Sequence, residues 1–193
     1  MNKKKKKAFI FSSLAASNHS TKKREEHDFY ATEPKATELL LEQEKFNIKI
    51  LEPACGQGHI SEVLASHGYR VISSDLIDRG YGQVRNFFDF SDWDGDIITN
   101  PPYREALKFV KHSLNIIKPQ RKVAMFLKIQ FLESKERRCF FEKCPPKVIY
   151  VSSGRLICAR NAEFNKYKSS AVCYAWYIWE KGYIGEPIIR WIN

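Results

Sequence analysis

Apolar and polar positions fall into short blocks along this chain, and the blocks switch between a period of about two and a period of about 3.6. Ile48 to Glu52 is an apolar run closed by Pro53, and Ile60 to His67 carries Ile60, Val63 and Leu64 on one helical face. Gly68 stands where a glycine ends a helix. Arg70 to Ser74 predicts a second strand ending at Asp75, and Val84 to Phe88 a third ending at Asp89. Asp96 to Thr99 predicts a fourth, running into Asn100. A helix is expected from Arg104 to Ile117, with Leu107, Val110, Leu114 and Ile117 at helical spacing and Pro119 beyond its end. Val123 to Leu127 reads as a fifth strand and Glu133 to Glu142 as a helix; Val148 to Val151, Val172 to Trp179 and Ile188 to Trp191 complete the strands. Strands interleaved with helices in this order predict an α/β fold, its sheet mostly parallel with an antiparallel return near the C-terminus.

Composition narrows the setting. A chain of 193 residues is long enough for one domain with a sizeable core and short for two. Its 44% hydrophobic content is that of a folded, soluble protein. The net charge of +10 favours a polyanionic partner, nucleic acid above all. Part of that excess is the run Lys3 to Lys7, and residues 1–27 read as a basic, polar arm ahead of a single domain over 28–193. The arm imitates a signal peptide, but its apolar stretch is short and is broken by Ser12 and Ser13, so a cytoplasmic protein is expected. No stretch approaches the ~20 apolar residues that span a bilayer. The cysteines at 55, 139, 144, 158 and 173 show neither metal-ligand spacing nor histidine companions; reduced thiols and no metal are expected.

Doubly wound sheets bind ligands at the carboxyl ends of their strands, and there this chain places its unusual residues. Glu52-Pro53-Ala54-Cys55-Gly56-Gln57-Gly58 follows the first strand, Asp75 the second, Asp89 the third and Asn100 the fourth. Gly56 and Gly58 suit a tight turn whose backbone approaches a ligand, though the third glycine of a dinucleotide fingerprint is missing. Asp75 lies near the spacing at which a carboxylate accepts from ribose hydroxyls. Asp89, followed by Phe90, could accept from an adenine amino group while an aromatic ring covers the base.

Asn100-Pro101-Pro102-Tyr103 is the most specific signal, since a given tetrapeptide arises by chance in such a chain only about once in a thousand. An aromatic amino nitrogen is a poor nucleophile because its lone pair is delocalised into the ring. Two acceptors, the Asn100 side-chain carbonyl and the carbonyl of Pro101, can each accept one of its N–H groups and favour the pyramidal form. Proline leaves that carbonyl free and fixes its direction. Tyr103 offers a face on which a planar base stacks. A base inside a duplex is out of reach, so a DNA substrate would be flipped out. Phosphate contacts would then come from Arg104 and Lys108 beside the site, and from Arg155, Arg160, Lys166 and Lys168, which are interleaved with aromatics. A solvated loop is an equally good reading of that last stretch.

These motifs resemble the amino-group (N6-adenine) DNA methyltransferases, particularly the small phage and prophage type, over about Ser17 to Asn193. The resemblance implies a Rossmann-like SAM-dependent methyltransferase fold with S-adenosyl-L-methionine as cofactor. Glu52 to Gly58 is similar to the family's first cofactor motif, Asp75 and Asp89 stand at its ribose and adenine contacts, and Asn100 to Tyr103 matches its catalytic motif. Asp28-Phe29-Tyr30-Ala31-Thr32-Glu33-Pro34 is similar to its N-terminal cofactor element, which implies that Tyr30 and Thr32 help hold the methionine part. Tyr174 to Trp179 resembles its terminal strand. Larger members carry a separate target-recognition domain, for which this chain has no room, and a monomer is expected. Three alternatives stay open: an RNA adenine, a protein glutamine amide (which needs the same pair of acceptors), or a nucleic-acid-binding relative without turnover.

Overall fold

Successive residues of the central strands go to opposite faces of one sheet, and both faces are covered. Ile50, Ile98, Ala124, Phe126, Trp176 and Ile178 belong to one buried cluster, while Leu51, Ile97, Val123, Met125, Tyr177 and Trp179 belong to the other. That is the period-two pattern of strands sandwiched between helices, where no face is left for polar side chains. The computed structural model describes residues 30–160, 164 and 172–193. The basic arm, Lys166 and Lys168 lie outside the described residues.

The chain begins with β1 (Tyr30–Thr32) and α1 (Pro34–Gln43), then β2 (Lys49–Glu52), α2 (His59–Ser66), β3 (Arg70–Asp75) and β4 (Gln83–Val84). It continues through β5 (Asp96–Thr99), α3 (Ala106–Ile116), β6 (Lys122–Lys128), α4 (Lys135–Lys143) and β7 (Val148–Ser152), and ends with β8 (Cys158–Arg160), β9 (Tyr174–Glu180) and β10 (Ile188–Ile192). Eight strands form one sheet in the order β10-β7-β9-β6-β5-β2-β3-β4. Every pairing in it is parallel except those of β9, which runs antiparallel to both β6 and β7. The predicted antiparallel return is therefore β9, and it lies inside the sheet. Its residues Tyr174 to Trp179 are all buried for that reason. The chain leaves β2 for β3 on one side and later returns to β5 on the other, so the sheet's switch point opens at the carboxyl ends of β2 and β5.

Three elements differ from the sequence reading. The strand expected over Val84 to Phe88 is only the two residues of β4, because the Asn86 side chain accepts the Phe88 N–H at 3.1 Å and starts a 3-10 turn, Phe87–Asp89. The helix expected from Glu133 begins two residues later, after a 3-10 turn over Ile129–Leu132, with the Ser134 hydroxyl accepting from Arg137 N. Helix α1 had no counterpart in the prediction. It starts with Pro34, whose fixed φ and missing N–H suit a first turn, and buries Ala36, Leu39, Leu40 and Leu41 against the sheet. β1 and β8 pair as a separate two-stranded antiparallel ribbon, with Tyr30 opposite Arg160 and Thr32 opposite Cys158. Among the described residues no helix is long and apolar enough to cross a membrane.

Candidate active site

A cavity of about 520 Å³ opens at the switch point, within the ~300–1,000 Å³ range of ligand sites. The turn after β2 forms its floor. Gly56 and Gly58 take φ of 55° and 89°, a region that costs other residues a Cβ clash. Asp75 fixes this turn, with Oδ2 accepting from Gly56 N at 2.9 Å and Oδ1 from Ile77 N at 3.0 Å. Two of the carboxylate's roughly four acceptor positions stay open, on a half-buried residue that lines the cavity. Gly58 makes room for protein, since a Cβ there would meet the Tyr81 ring 2.5 Å away.

Beneath the cavity Glu52 is buried and accepts a short hydrogen bond from the Ser61 hydroxyl, which in turn meets the Ser73 hydroxyl at 2.5 Å. Burial pushes the Glu52 carboxyl from 4.5 up to about 8; the Ser61 bonds oppose the rise and nearby Asp75 adds to it. Folded protein therefore keeps a proton on Glu52 that the unfolded chain releases above about pH 4.5. Glu52's contribution to stability is intact below that pH and declines as pH rises through about 8. Glu52→Gln keeps the shape and removes the titration. We expect its urea midpoint to fall less than that of wild type between pH 5 and pH 9; parallel declines would contradict the assignment.

Asn100 leaves the end of β5 with its carboxamide held from one side. Its Nδ2 donates to the Tyr30 carbonyl at 3.1 Å and to Thr32 Oγ1 at 2.9 Å, and faces Cys158 Sγ at 3.7 Å. A carbonyl oxygen only accepts, so the NH2 end must face the ribbon and the oxygen must point away from it. That oxygen, Oδ1, is buried and has no hydrogen-bond partner. An orphaned buried acceptor costs ~1–3 kcal/mol, and Asn100 lines the cavity, so a donor bound there would satisfy it. Among the described residues nothing donates to the carbonyl of buried Pro101, whereas that of Pro102 accepts from Glu105 N at 2.9 Å. Two open acceptors thus sit side by side in the chain.

Tyr103 packs against both core clusters, with the Tyr30 ring 5.9 Å away and the Tyr174 ring 6.3 Å away. Its hydroxyl donates to Cys158 Sγ at 3.4 Å, and Lys128 Nζ stands 4.7 Å from its ring centre. Burial, then Cys158 and Tyr174, raise the phenol well above its ordinary range, so the ring stays neutral.

Tyr30, Thr32, Glu52, Pro53, Ala54, Asp75, Asn100, Pro101, Pro102, Tyr103 and Arg104 all line this one cavity. Asp89 and Phe90 do not. The 3-10 turn sends Asp89 to solvent and buries Phe90 under the Arg85 guanidinium at 3.7 Å, so Asn86, Phe87 and Phe88 form that wall instead. Gly56 and Gly58 shape the floor from behind. Lys108 is engaged by Glu105 at 2.7 Å, and Arg155 is exposed away from the cavity. Arg160 pairs with Tyr30 in the ribbon. The sequence reading missed Arg79 and Lys128, which join Arg104 on the cavity wall, and Cys158 beside Asn100 and Tyr103. A lysine ending the apolar run Val123 to Leu127 was a usable signal; Cys158 had none, because only the β1–β8 pairing brings it here.

The fold is the Rossmann-like fold of class I SAM-dependent methyltransferases, α/β with a mostly parallel central sheet and an antiparallel strand. The chain is similar to a protein assigned as an RNA methyltransferase from Pyrococcus horikoshii, at 16% identity over 76% of this chain and 79% of that one, with a TM-score of 0.51. It is similar to a SAM-dependent O-methyltransferase from Thermotoga maritima, at 14% identity over 79% and 67% of the two chains, with a TM-score of 0.51. The modification subunit assigned to a type I restriction enzyme of Vibrio vulnificus YJ016 gives a TM-score of 0.58 at 12% identity, over 96% of this chain and 50% of that one. The present chain thus spans half the length of that subunit. At these identities the likeness is one of fold. No protein-family model matches the chain, and no curated protein matches its sequence.

Proposed function

We propose that this protein is a SAM-dependent methyltransferase that acts on the exocyclic amino nitrogen of adenine in DNA. The unpartnered buried Oδ1 of Asn100, beside the open carbonyl of Pro101, carries the reading. Those two acceptors suit an NH2 group and give nothing to a hydroxyl oxygen that needs a base. S-adenosyl-L-methionine supplies a methyl group already activated by its sulfonium charge. The residues present fit it: Asp75 has acceptor capacity left for a pair of hydroxyls, Phe87 and Phe88 offer apolar walls, and Tyr30, Thr32 and the Glu52 to Ala54 turn close the other end. The protein's own task is positioning. Asn100 Oδ1 and the Pro101 carbonyl each accept a hydrogen bond from one amino N–H and turn the nitrogen lone pair out of the ring. The nitrogen so oriented would accept the methyl group the cofactor supplies, and the surplus amino proton would leave to solvent. Arg104, exposed on the cavity wall, suits a phosphate-bearing substrate.

Incubation with labelled cofactor and DNA, RNA or ribosomal protein, followed by mass spectrometry, tests the assignment. N6-methyladenine in DNA is expected; methylglutamine, or methyladenine in RNA alone, would overturn it. The cofactor should also raise the melting temperature by mass action. Asp75→Ala should weaken its binding ~10- to 100-fold, the worth of hydrogen bonds to a charged group, and a calorimetric Kd unchanged by the substitution would remove Asp75 from the site.

A further inference from the structure

We propose that Lys128 reads the substrate base, donating from Nζ to the ring nitrogen that flanks the target amino group. The inference rests on the adenine reading above and adds a specificity-determining residue to it.

Lys128 is the last residue of β6, and its neighbours from Val123 to Leu127 are all buried core. The strand therefore fixes where its stem starts. Lys128 itself is half-buried, lines the cavity with Asn100 and Tyr103, and holds its ammonium 4.7 Å from the centre of the Tyr103 ring. No carboxylate of the described residues pairs with it within 4 Å, and the ammonium rests against that ring face. A cation over an aromatic face is held by ~0.5–2 kcal/mol, little enough to be exchanged for a better acceptor.

A base that stacks on Tyr103 and offers its amino group to Asn100 Oδ1 enters the volume that this ammonium borders. The base also displaces water from it. A lysine left there without an acceptor would be a buried, unpaired charge, which is strongly unfavourable. Its four-carbon stem lets the ammonium slide from the ring face to the base edge. The edge beside an adenine amino group carries a lone pair on each side, at N1 and at N7. Either satisfies the ammonium; a C–H in the same place does not. Sites built to hydrogen-bond a substrate group reject analogues lacking it by large factors for this reason. Arg104, exposed on the outer wall, is the better placed of the two for phosphate.

The test pairs a variant with edited bases. Oligonucleotides carrying adenine, 1-deazaadenine or 7-deazaadenine at the methylated position are compared as substrates of wild type and of Lys128→Met, by single-turnover transfer of labelled methyl. Wild type should lose ~100-fold on one of the two analogues, and which one identifies N1 or N7 as the acceptor. Lys128→Met should be slow on adenine and discriminate that analogue by less than ~3-fold. Lys128→Arg should recover part of the discrimination. Equal analogue penalties in wild type and Lys128→Met, or no penalty in wild type, would overturn the assignment while leaving adenine methylation standing. Failure of wild type to methylate adenine in any oligonucleotide would instead overturn the underlying reading.

Discussion

Asn100→Ala is expected to slow methyl transfer to adenine by about 100- to 1000-fold, roughly 3–4 kcal/mol, the usual consequence of removing one preorganised hydrogen-bonding group from a reacting centre. Cofactor affinity should change little, because the proposed role of Oδ1, which has no partner within the protein, is toward the substrate, and the Nδ2 end is spent on Tyr30 and Thr32. Those anchors create a competing explanation: alanine also releases β1. Thr32→Val separates the two. It deletes one anchor at 2.9 Å but leaves Oδ1 and the Tyr30 bond in place, so its rate should fall by no more than about tenfold, the worth of one ordinary hydrogen bond. Single-turnover rates with saturating cofactor, set beside calorimetric cofactor binding, check both statements. If Asn100→Ala kept a near-wild-type rate, the segment Asn100 to Tyr103 would be only a rigid turn.

What could be read from the sequence follows from how local each signal is. The strands of the large sheet announce themselves as apolar runs with turn residues behind them, and β5 with its Asn100 to Tyr103 tail needed no tertiary information. Asp75 was legible for the same reason, as the polar residue that stops a strand. The strand expected over Val84 to Phe88 misled because Phe87-Phe88 looks like strand; the deciding contact is the Asn86 side chain capping Phe88 N, a three-residue effect that outweighs β-propensity. Helix α1 was hidden by Leu39-Leu40-Leu41, which blurs the helical period even though Pro34 marks its start. The orphaned Oδ1 was beyond reach altogether. Its orientation depends on a carbonyl 70 positions away in the chain, brought up by a ribbon that only the folded protein makes.

That ribbon is tied to the core through α1, and the tie carries the last expected result. Trp176→Ala should destabilise the protein by about 3–5 kcal/mol, the range for emptying a large buried aromatic site. Trp176 is fully buried at the centre of β9, packs on Phe126 with ring centres 4.9 Å apart, and donates its indole N–H to the Ala36 carbonyl at 2.8 Å. That carbonyl lies in the first turn of α1, four residues after Thr32, so the indole anchors the start of the helix whose lead-in strand holds Asn100. Trp176→Phe keeps most of the apolar volume and loses the hydrogen bond, leaving a buried acceptor to find another partner; about 1–3 kcal/mol is expected from that alone. Urea midpoints order the three proteins as wild type, Phe, Ala. The Phe variant should also show a lower methylation rate at temperatures where it is fully folded, since a looser α1 leaves the Tyr30 and Thr32 anchors less fixed. A Trp176→Phe protein as active as wild type under those conditions would confine the indole to stability and cut the link between α1 and the orientation of Asn100.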